Sequence, residues 1–382
     1  MCPLIDPSAY SRLFEKLLLK RIKVTASEEE LIPNHQFGFR NKHSTIEQVN
    51  RVFNNISNAL EEKKYCSAAF LDIQQAFDEV WHTGLLYKIK KDLLQYYLLL
   101  KSKLSNRKFY VQHGQAKSTF HLVQAGVLQG SVLGPFLYTL FTADLPVDEQ
   151  TTTAIFADDT AIIAADTDPT TASELLQNGL RLVQSWMENW RLKASPTKSV
   201  QITFTTRRGD CPPVTPYCEP LPATNEVKYL GLHLDRRLTW AKHIKTKRKE
   251  MELKTRLYWL LGKKSKLSLN NKLNIYKIIL KPIWTYGIQL WGTASNSNLE
   301  ILQRFQNKTI RNIVNAPWYV SNAIISRDLS IPTIKEEIMR LSVKYEGRLE
   351  NHPNPIATEL LNKETTRRLK GFKTIDLKNR FQ

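Results

Sequence analysis

Residues 155–159 read Ile-Phe-Ala-Asp-Asp and place two adjacent aspartates between two short stretches that are mostly apolar. The stretch before them is 153–156 and the stretch after them is 160–163. Apolar residues recurring at a period of two on both sides of a short polar break predict a tight β-hairpin with two carboxylates at its tip. Such a tip can hold a divalent cation against a substrate phosphate, although an ordinary aspartate-rich turn has the same pattern.

The charge of the chain is strongly positive and unevenly distributed. Its 382 residues carry a formal net charge of +19. Residues 236–281 contain fifteen Lys or Arg against two acids, Glu250 and Glu252, a local balance of +13. This surplus indicates a polyanionic partner, for which nucleic acid is the usual candidate. A solvated helix face is the alternative.

Cysteine usage and hydropathy exclude several classes of protein. None of Cys2, Cys66, Cys211 and Cys218 has zinc-finger or zinc-knuckle spacing, which favours a reducing intracellular compartment. No apolar stretch has the length that a bilayer requires, and no signal-peptide pattern begins the chain. We therefore expect no membrane partner.

Hydrophobic periodicity predicts strands mixed with helices up to residue 235 and helices beyond it. The expected strands are 65–73, two short ones within 109–123, 198–204 and a hairpin at 226–235. The expected helices are 12–21, 44–62, 83–93, 96–104, 135–144, 171–190, 240–261, 269–280, 299–314 and 335–349. This order predicts an α+β catalytic body followed by a helical accessory region.

Three segments together have the composition that nucleotidyl transfer requires. Asp72 ends a buried strand, residues 126–134 form a glycine-rich loop, and Asp158 and Asp159 lie at the hairpin tip. Mg²⁺ prefers oxygen ligands and is held by one or two carboxylates together with substrate phosphates. Carboxylates from two strands can bracket the two metal ions that stabilise attacking and leaving oxygens.

Several motifs occur in the order seen in one polymerase family. They are residues 70–82, 126–135, 156–160 and 229–235, joined by 36–40, 190–193 with Lys198, 286–292 and 302–308. The ordered set resembles the reverse transcriptases of non-LTR retrotransposons, most closely those of the jockey type. The resemblance covers the chain from about residue 12 to its end.

This resemblance implies an α+β fold of the right-hand polymerase type. Fingers and palm, with an antiparallel sheet plus helices, would occupy residues 1–235, and residues 226–235 would be the primer grip. A basic all-α thumb would occupy residues 236–320, and a C-terminal helical region residues 321–382. On the thumb, Lys242, Lys245 and Lys249 share one helical face, whereas Ile244, Met251 and Tyr258 recur on another and would pack inward.

The resemblance also assigns roles to individual residues. Asp72 and Asp158 would be the main ligands of Mg²⁺, with Mn²⁺ as a possible substitute, and Asp159 would be less direct. Phe77 would exclude a ribose 2′-hydroxyl, although core packing is an alternative role.

Four further residues receive roles around the incoming nucleotide. Gln129 and Gly130 would lie against the nucleotide and template, and Arg40 would reach the triphosphate. Lys198 would protonate the leaving pyrophosphate, or it is a surface lysine on an edge strand. Leu128 stands where the family has proline, so we expect a looser turn that displaces Gln129.

The implied activity is RNA-directed DNA synthesis, from dNTPs onto a DNA primer along an RNA template. With no endonuclease domain in the sequence, target-primed synthesis would need a nick supplied in trans. The expected location is nucleus and cytoplasm, and residues 245–249 could serve as a nuclear-import signal. Two rivals stay open: a catalytically weak remnant that only binds nucleic acid, and an RNA-templated RNA polymerase, against which Phe77 argues.

Overall fold

A computed structural model describes residues 9–216, 219–254, 258–362, 369 and 371–381, except for the side chains of residues 253, 254 and 258. The chain divides into two compact units. The first comprises residues 1–48, 66–201 and 210–223, and the second comprises residues 49–65, 202–209 and 224–382. The three-part division at residues 235 and 320 stays a prediction.

The elements alternate between strands and helices before residue 235 and are helical after it, as predicted. The helices are α1 (Ala9–Glu28), α2 (Thr45–Glu61), α3 (His82–Asp92), α4 (Tyr97–Leu104), α5 (Gly134–Phe141), α6 (Pro169–Asn189), α7 (Ala241–Lys254), α8 (Tyr258–Leu261), α9 (Leu269–Ile275), α10 (Lys281–Thr285), α11 (Ile288–Trp291), α12 (Asn296–Val314), α13 (Asn322–Asp328), α14 (Ile334–Glu350) and α15 (Pro355–Thr358). The strands are β1 (Tyr65–Asp72), β2 (Lys108–Phe109), β3 (Gln112–His113), β4 (Ala116–Lys117), β5 (His121–Leu122), β6 (Thr152–Phe156), β7 (Asp159–Asp166), β8 (Val200–Phe204), β9 (Ala223–Thr224), β10 (Glu226–Tyr229) and β11 (Leu232–Asp235).

Strands β6, β7 and nearly all of β1 belong to the first unit and form part of a five-stranded sheet with the order β6-β7-β1-β8-β9. All residues of β1 except Asp72 are buried, because this strand lies inside the sheet. Helix α6 packs on β7, and its buried residues include Leu176, Leu180 and Met187. Burying each such side chain stabilises the fold by about 1.5–3 kcal/mol.

The second unit is mostly helical and contains the β10–β11 hairpin, whose register pairs Glu226 with Asp235, together with residues 202–204 of β8. Ile244 and Met251 of α7 are buried, as predicted, whereas the side chain of Tyr258 lies outside the described residues. Among the described helices, none is long and apolar enough to cross a membrane.

Three expectations about elements were wrong. Residues 108–122 form four two-residue strands rather than two, with β2 paired to β5 and β3 paired to β4. Strand β8 begins at Val200, so Lys198 lies in the preceding turn. The helix expected over 269–280 changes after Ile275 to a π-helix, Tyr276–Leu280. Pro282 explains this change, because proline removes one N–H and its ring disfavours a regular α-helical path.

Candidate active site

The two aspartates lie at a tight hairpin, as the sequence predicts. Strands β6 and β7 pair antiparallel, with Phe156 opposite Asp159, so Ala157 and Asp158 form the turn. Ala157 adopts a left-handed backbone conformation with φ of 59°. This conformation is uncommon for a residue with a side chain and requires support from neighbouring groups.

The support comes from the loop that precedes α2. The Gln36 side-chain Oε1 accepts hydrogen bonds from the Gly38 amide at 2.7 Å and from the Ala157 amide at 3.1 Å. The Phe37 amide also donates to the Ile155 carbonyl at 3.0 Å. A Cβ on Gly38 would lie 2.3 Å from the Ala157 nitrogen, so only glycine permits this approach. The loop therefore supports the aspartate turn directly, through these hydrogen bonds and this close backbone contact.

Asp72 is held at the end of β1, beside β7. Its amide donates to Ser199 Oγ at 3.2 Å, and its carbonyl accepts from the Ser195 amide at 2.7 Å. Lys198 Nζ lies 3.3 Å from Asp72 Oδ2, and the lysine side chain is 71% exposed. Lys198 is thus a turn residue in an ion pair with Asp72, not a residue of an edge strand.

The three carboxylates share one electrostatic environment. Burial, and then the negative charges of Asp158 and Asp72, raise the pKa of Asp159 to about 6. Burial and the same aspartate turn raise the pKa of Tyr138, whose hydroxyl has no hydrogen-bond partner among the described residues. Negative charge therefore accumulates here, which a bound cation would offset.

The donor chemistry fits a hard divalent cation, because carboxylate oxygens are the ligands that Mg²⁺ and Mn²⁺ prefer. Within the described ranges, no group of three His, Cys, Asp or Glu side chains is already arranged around a metal position. The Asp72 carboxylate instead faces Lys198. Asp72, Asp158 and Asp159 are the residues that could hold the ion.

The Phe77 side chain packs against two aromatic rings and is partly exposed to solvent. Its ring stacks on Tyr138 with centroids 4.8 Å apart and meets Phe39 edge-on at 5.8 Å. The side chain is half-buried against the core of the first unit. Because the ring is packed on one part and exposed on the other, both exclusion of a 2′-hydroxyl and core packing are compatible with the position of Phe77.

The glycine-rich loop is joined to the segment that carries Phe77. The Val127 amide donates to the Phe77 carbonyl at 2.8 Å, and the Gly126 amide donates to the Val80 carbonyl at 2.9 Å. Gly126 has a φ of 95°, and a Cβ there would lie 2.8 Å from the Asp78 carbonyl oxygen. Gln129 and Gly130 are exposed beyond this anchor, and Gln129 Nε2 lies 3.5 Å from Asp78 Oδ1.

The other end of the loop is held by Glu15, which sequence reasoning missed. The fully buried Glu15 carboxylate accepts hydrogen bonds from Ser131 Oγ at 2.7 Å and from the amides of Val132 at 2.7 Å and Leu133 at 3.3 Å. It also pairs with Lys103. Burial opposes ionisation of Glu15, but the bonds from Lys103, Ser131 and Val132 lower its pKa overall.

A sequence signal for Glu15 did exist. The buried residues of α1 are Glu15, Leu18, Ile22 and Ala26, which lie three to four residues apart on one helical face. A glutamate on an apolar stripe is seldom buried unless it is paired. The loosening expected from Leu128 stays a prediction, and the loop around it is anchored at both ends.

Arg40 is tied to its own loop. Its Nη1 donates to the Pro33 carbonyl at 2.9 Å and to the Gln36 carbonyl at 3.3 Å, and burial lowers its pKa. The arginine therefore stabilises the loop that supports the aspartate turn. Its contact with a triphosphate stays a prediction.

The chain is clearly similar in sequence to known proteins. The family described as reverse transcriptase (RNA-dependent DNA polymerase) matches residues 3–234. The probable RNA-directed DNA polymerase from transposon X-element of Drosophila melanogaster is 42% identical over 374 residues, which cover 96% of this chain and 41% of that protein. The RNA-directed DNA polymerase from mobile element jockey of the same fly is 41% identical over 359 residues, covering 91% and 39%.

The chain spans about two fifths of the length of these curated relatives. Among solved structures, apo telomerase from Candida tropicalis aligns with 91% of this chain and 61% of its own, at 11% identity and a TM-score of 0.43. The family match and the relatives confirm the resemblance and the right-hand polymerase fold expected from it. The chain therefore belongs to the reverse transcriptase family, with relatives among the polymerases of non-LTR mobile elements of the jockey type.

Proposed function

We propose that this chain is the polymerase portion of an RNA-directed DNA polymerase that extends a DNA primer on an RNA template. The observation that carries the proposal is the convergence of Asp72, at the end of β1, with Asp158, in the hairpin turn, and Asp159, at the start of the neighbouring strand β7, in a chain of this family. The relatives carry the same activity in their names. Reverse transcriptases depend on divalent metal ions, and we propose Mg²⁺, with Mn²⁺ as a substitute.

The aspartates would hold the metal ions and place the primer terminus beside the incoming dNTP. When bound, divalent ions stabilise the charge that develops on attacking and leaving oxygens. Asp72 would exchange its ion pair with Lys198 for the metal. Lys198 Nζ would then be available to donate a proton to the departing pyrophosphate.

The remaining predicted residues would select and orient the nucleotide. Phe77 on its aromatic base would exclude a 2′-hydroxyl, and Gln129 with Gly130 would line the nucleotide and template side. Arg40 would reach the triphosphate after giving up a carbonyl bond.

Primer extension tests the proposal. The native chain should incorporate dTMP on poly(rA)/oligo(dT) when Mg²⁺ or Mn²⁺ is present, and Asp158→Ala should abolish incorporation. Asp148→Ala is the matched control, because Asp148 lies in the loop before the same hairpin and its carboxylate accepts a bond from the Gln150 amide. Undiminished incorporation by Asp158→Ala would overturn the site.

Two outcomes would identify the rival functions. Binding of the primer–template without any incorporation by the native chain would indicate a remnant that only binds nucleic acid. Preferential use of rNTPs would indicate an RNA-templated RNA polymerase.

We also propose that the chain works in the nucleus and cytoplasm. The buried, unpaired thiol of Cys66 supports a reducing compartment. Fluorescence microscopy of the tagged chain tests the location, and retention in the secretory pathway would contradict it. The need for a nick supplied in trans stays a prediction.

A further inference from the structure

A cavity of about 660 Å³ lies in the second unit, beside α12. Its size is within the range of about 300–1,000 Å³ that ligand sites occupy. The charged residues that line it are all cationic, namely Lys263, Arg304, Lys308 and Arg311. Four asparagines add amide groups to the wall. A wall of this chemistry favours an anion that also carries hydrogen-bonding groups.

Three of the four cations in the cavity wall lie on the same helix, α12. Arg304, Lys308 and Arg311 are spaced at i, i+4 and i+7 along α12 and therefore share one face. Arg304 and Lys308 are exposed, and no acidic side chain among the described residues pairs with either of them. Lys263 adds a further cation from the segment after α8. The cavity therefore has a positive charge that the described part of this unit leaves unneutralised.

An exposed tryptophan stands at the cavity wall on a braced turn. Trp318 is 91% exposed and the adjacent Tyr319 is 72% exposed. Arg311 donates to the carbonyls of Pro317 at 2.5 Å and Val320 at 2.6 Å, which fixes the turn between them. The Val320 amide closes the same turn by donating to the Pro317 carbonyl at 3.2 Å. Arg311 thus fixes the turn that presents this large apolar ring to solvent, where a ligand can reach it.

We propose that this cavity binds a single strand of RNA outside the polymerase centre. Phosphates would contact Arg304, Lys308 and Lys263, and a base would stack on Trp318. A row of cations beside an aromatic platform is the arrangement that proteins use for single strands, since every base offers a π-face. The choice of RNA rests on the proposed function, in which an RNA template is the strand that the chain must hold.

The test measures binding of a labelled single-stranded RNA of about 12 nucleotides. The full chain is first saturated with a chain-terminated RNA–DNA template–primer, so that the polymerase centre is occupied. Fluorescence anisotropy then compares the native chain with Trp318→Ala and with Arg304→Gln/Lys308→Gln. Tyr87→Ala and Lys344→Gln are the controls, because both residues are exposed and lie outside the cavity.

Trp318→Ala should weaken RNA binding by about tenfold, as expected for the loss of one stacked base. The double variant should weaken it further and should lower the slope of log affinity against log salt by about 1.4, or about 0.7 per lost phosphate contact. Both controls should bind as the native chain does. Photo-crosslinking of 4-thiouridine RNA should label the peptide that contains residues 304–322.

Native affinity and native salt slope in both cavity variants would overturn the proposal, as would tighter binding of a DNA strand of the same sequence. Primer extension separates this site from the polymerase centre. Both cavity variants should incorporate dTMP on a short primer–template like the native chain. Failure of the native chain to incorporate would refute the proposed function and leave the anisotropy result to decide the RNA site.

Discussion

At the scale of single residues, one close backbone contact decides how the aspartate turn is held. Gly38 abuts the Ala157 nitrogen, and Gln36 bonds to the same amide. Gly38→Ala should therefore destabilise the fold by about 1–3 kcal/mol through overpacking and lower dTMP incorporation by displacing Asp158. Urea unfolding and primer extension measure the two effects.

Gly347→Ala is the control for Gly38→Ala. Gly347 lies within α14, and a Cβ there would meet nothing within 4 Å. Alanine in a helix should be neutral or stabilising by up to about 1 kcal/mol. Equal stability and incorporation in the two variants would show that the contact with Ala157 has no importance.

Two substitutions can separate the role of Phe77 in sugar selection from its role in packing. Its ring stacks on Tyr138, so Phe77→Ala should relax discrimination against rNTPs by about tenfold or more, as removal of a steric block allows. Tyr138→Phe keeps the stacked ring and should keep the discrimination. The ratio of kcat/KM for dTTP and UTP is the measurement, and an unchanged ratio in Phe77→Ala would leave Phe77 with packing alone.

The sequence predicted the carboxylates but not the groups that hold them. Asp72, Asp158 and Asp159 each occur in a local pattern, at a strand end or a hairpin tip. Glu15 and Gln36 act across 116 and 121 positions, respectively, on Ser131 and Ala157. Such contacts form only after the chain has folded, so no local pattern specifies the partner.

At the scale of elements, helix α1 is coupled to the nucleotide-side loop through Glu15. Glu15→Gln should destabilise the fold by about 2–3 kcal/mol, because it removes the charge that pairs with Lys103 inside the protein. It should also lower primer extension by loosening the loop that carries Gln129. Glu28→Gln, at an exposed position of α1, should change neither quantity.

The same carboxylate has a defined dependence on pH. The folded state lowers the pKa of Glu15 below its ordinary value of 4.5. Its contribution is therefore complete above pH 4.5 and decreases as the pH falls through the lower, folded value. The difference in unfolding free energy between the native chain and Glu15→Gln should shrink on acidification, and a difference that grows would contradict this role.

Elements with a strong apolar periodicity were predicted well. Elements that are exposed, or that adjust to a neighbouring residue, were not. The β6–β7 hairpin follows directly from apolar spacing, and helix α6 lies close to its expected bounds of 171–190. The short strands of residues 108–122 are exposed, so their sequence has no alternation of apolar and polar residues that would reveal them. The π-helix before α10 adjusts to Pro282, which lies two residues after its end.

At the scale of the whole molecule, the net charge of +19 predicts salt-sensitive binding of nucleic acid. The structure refines which thumb cations contribute, because Lys242 is already paired with Glu226. Lys245 and Lys249 are exposed and have no acidic partner among the described residues. Lys245→Gln/Lys249→Gln should lower the salt slope of duplex binding by about 1.8, whereas Lys242→Gln should lower it less.

The central claim is that the site formed by Asp72, Asp158 and Asp159 is the centre of DNA synthesis. Single-turnover incorporation of dTMP on an RNA template tests it most directly, with Asp72→Asn and Asp158→Asn compared with Asp148→Asn. Loss of several kcal/mol of transition-state stabilisation should slow the first two by at least about a thousandfold and leave the third unchanged. Native rates in Asp72→Asn or Asp158→Asn would contradict the claim.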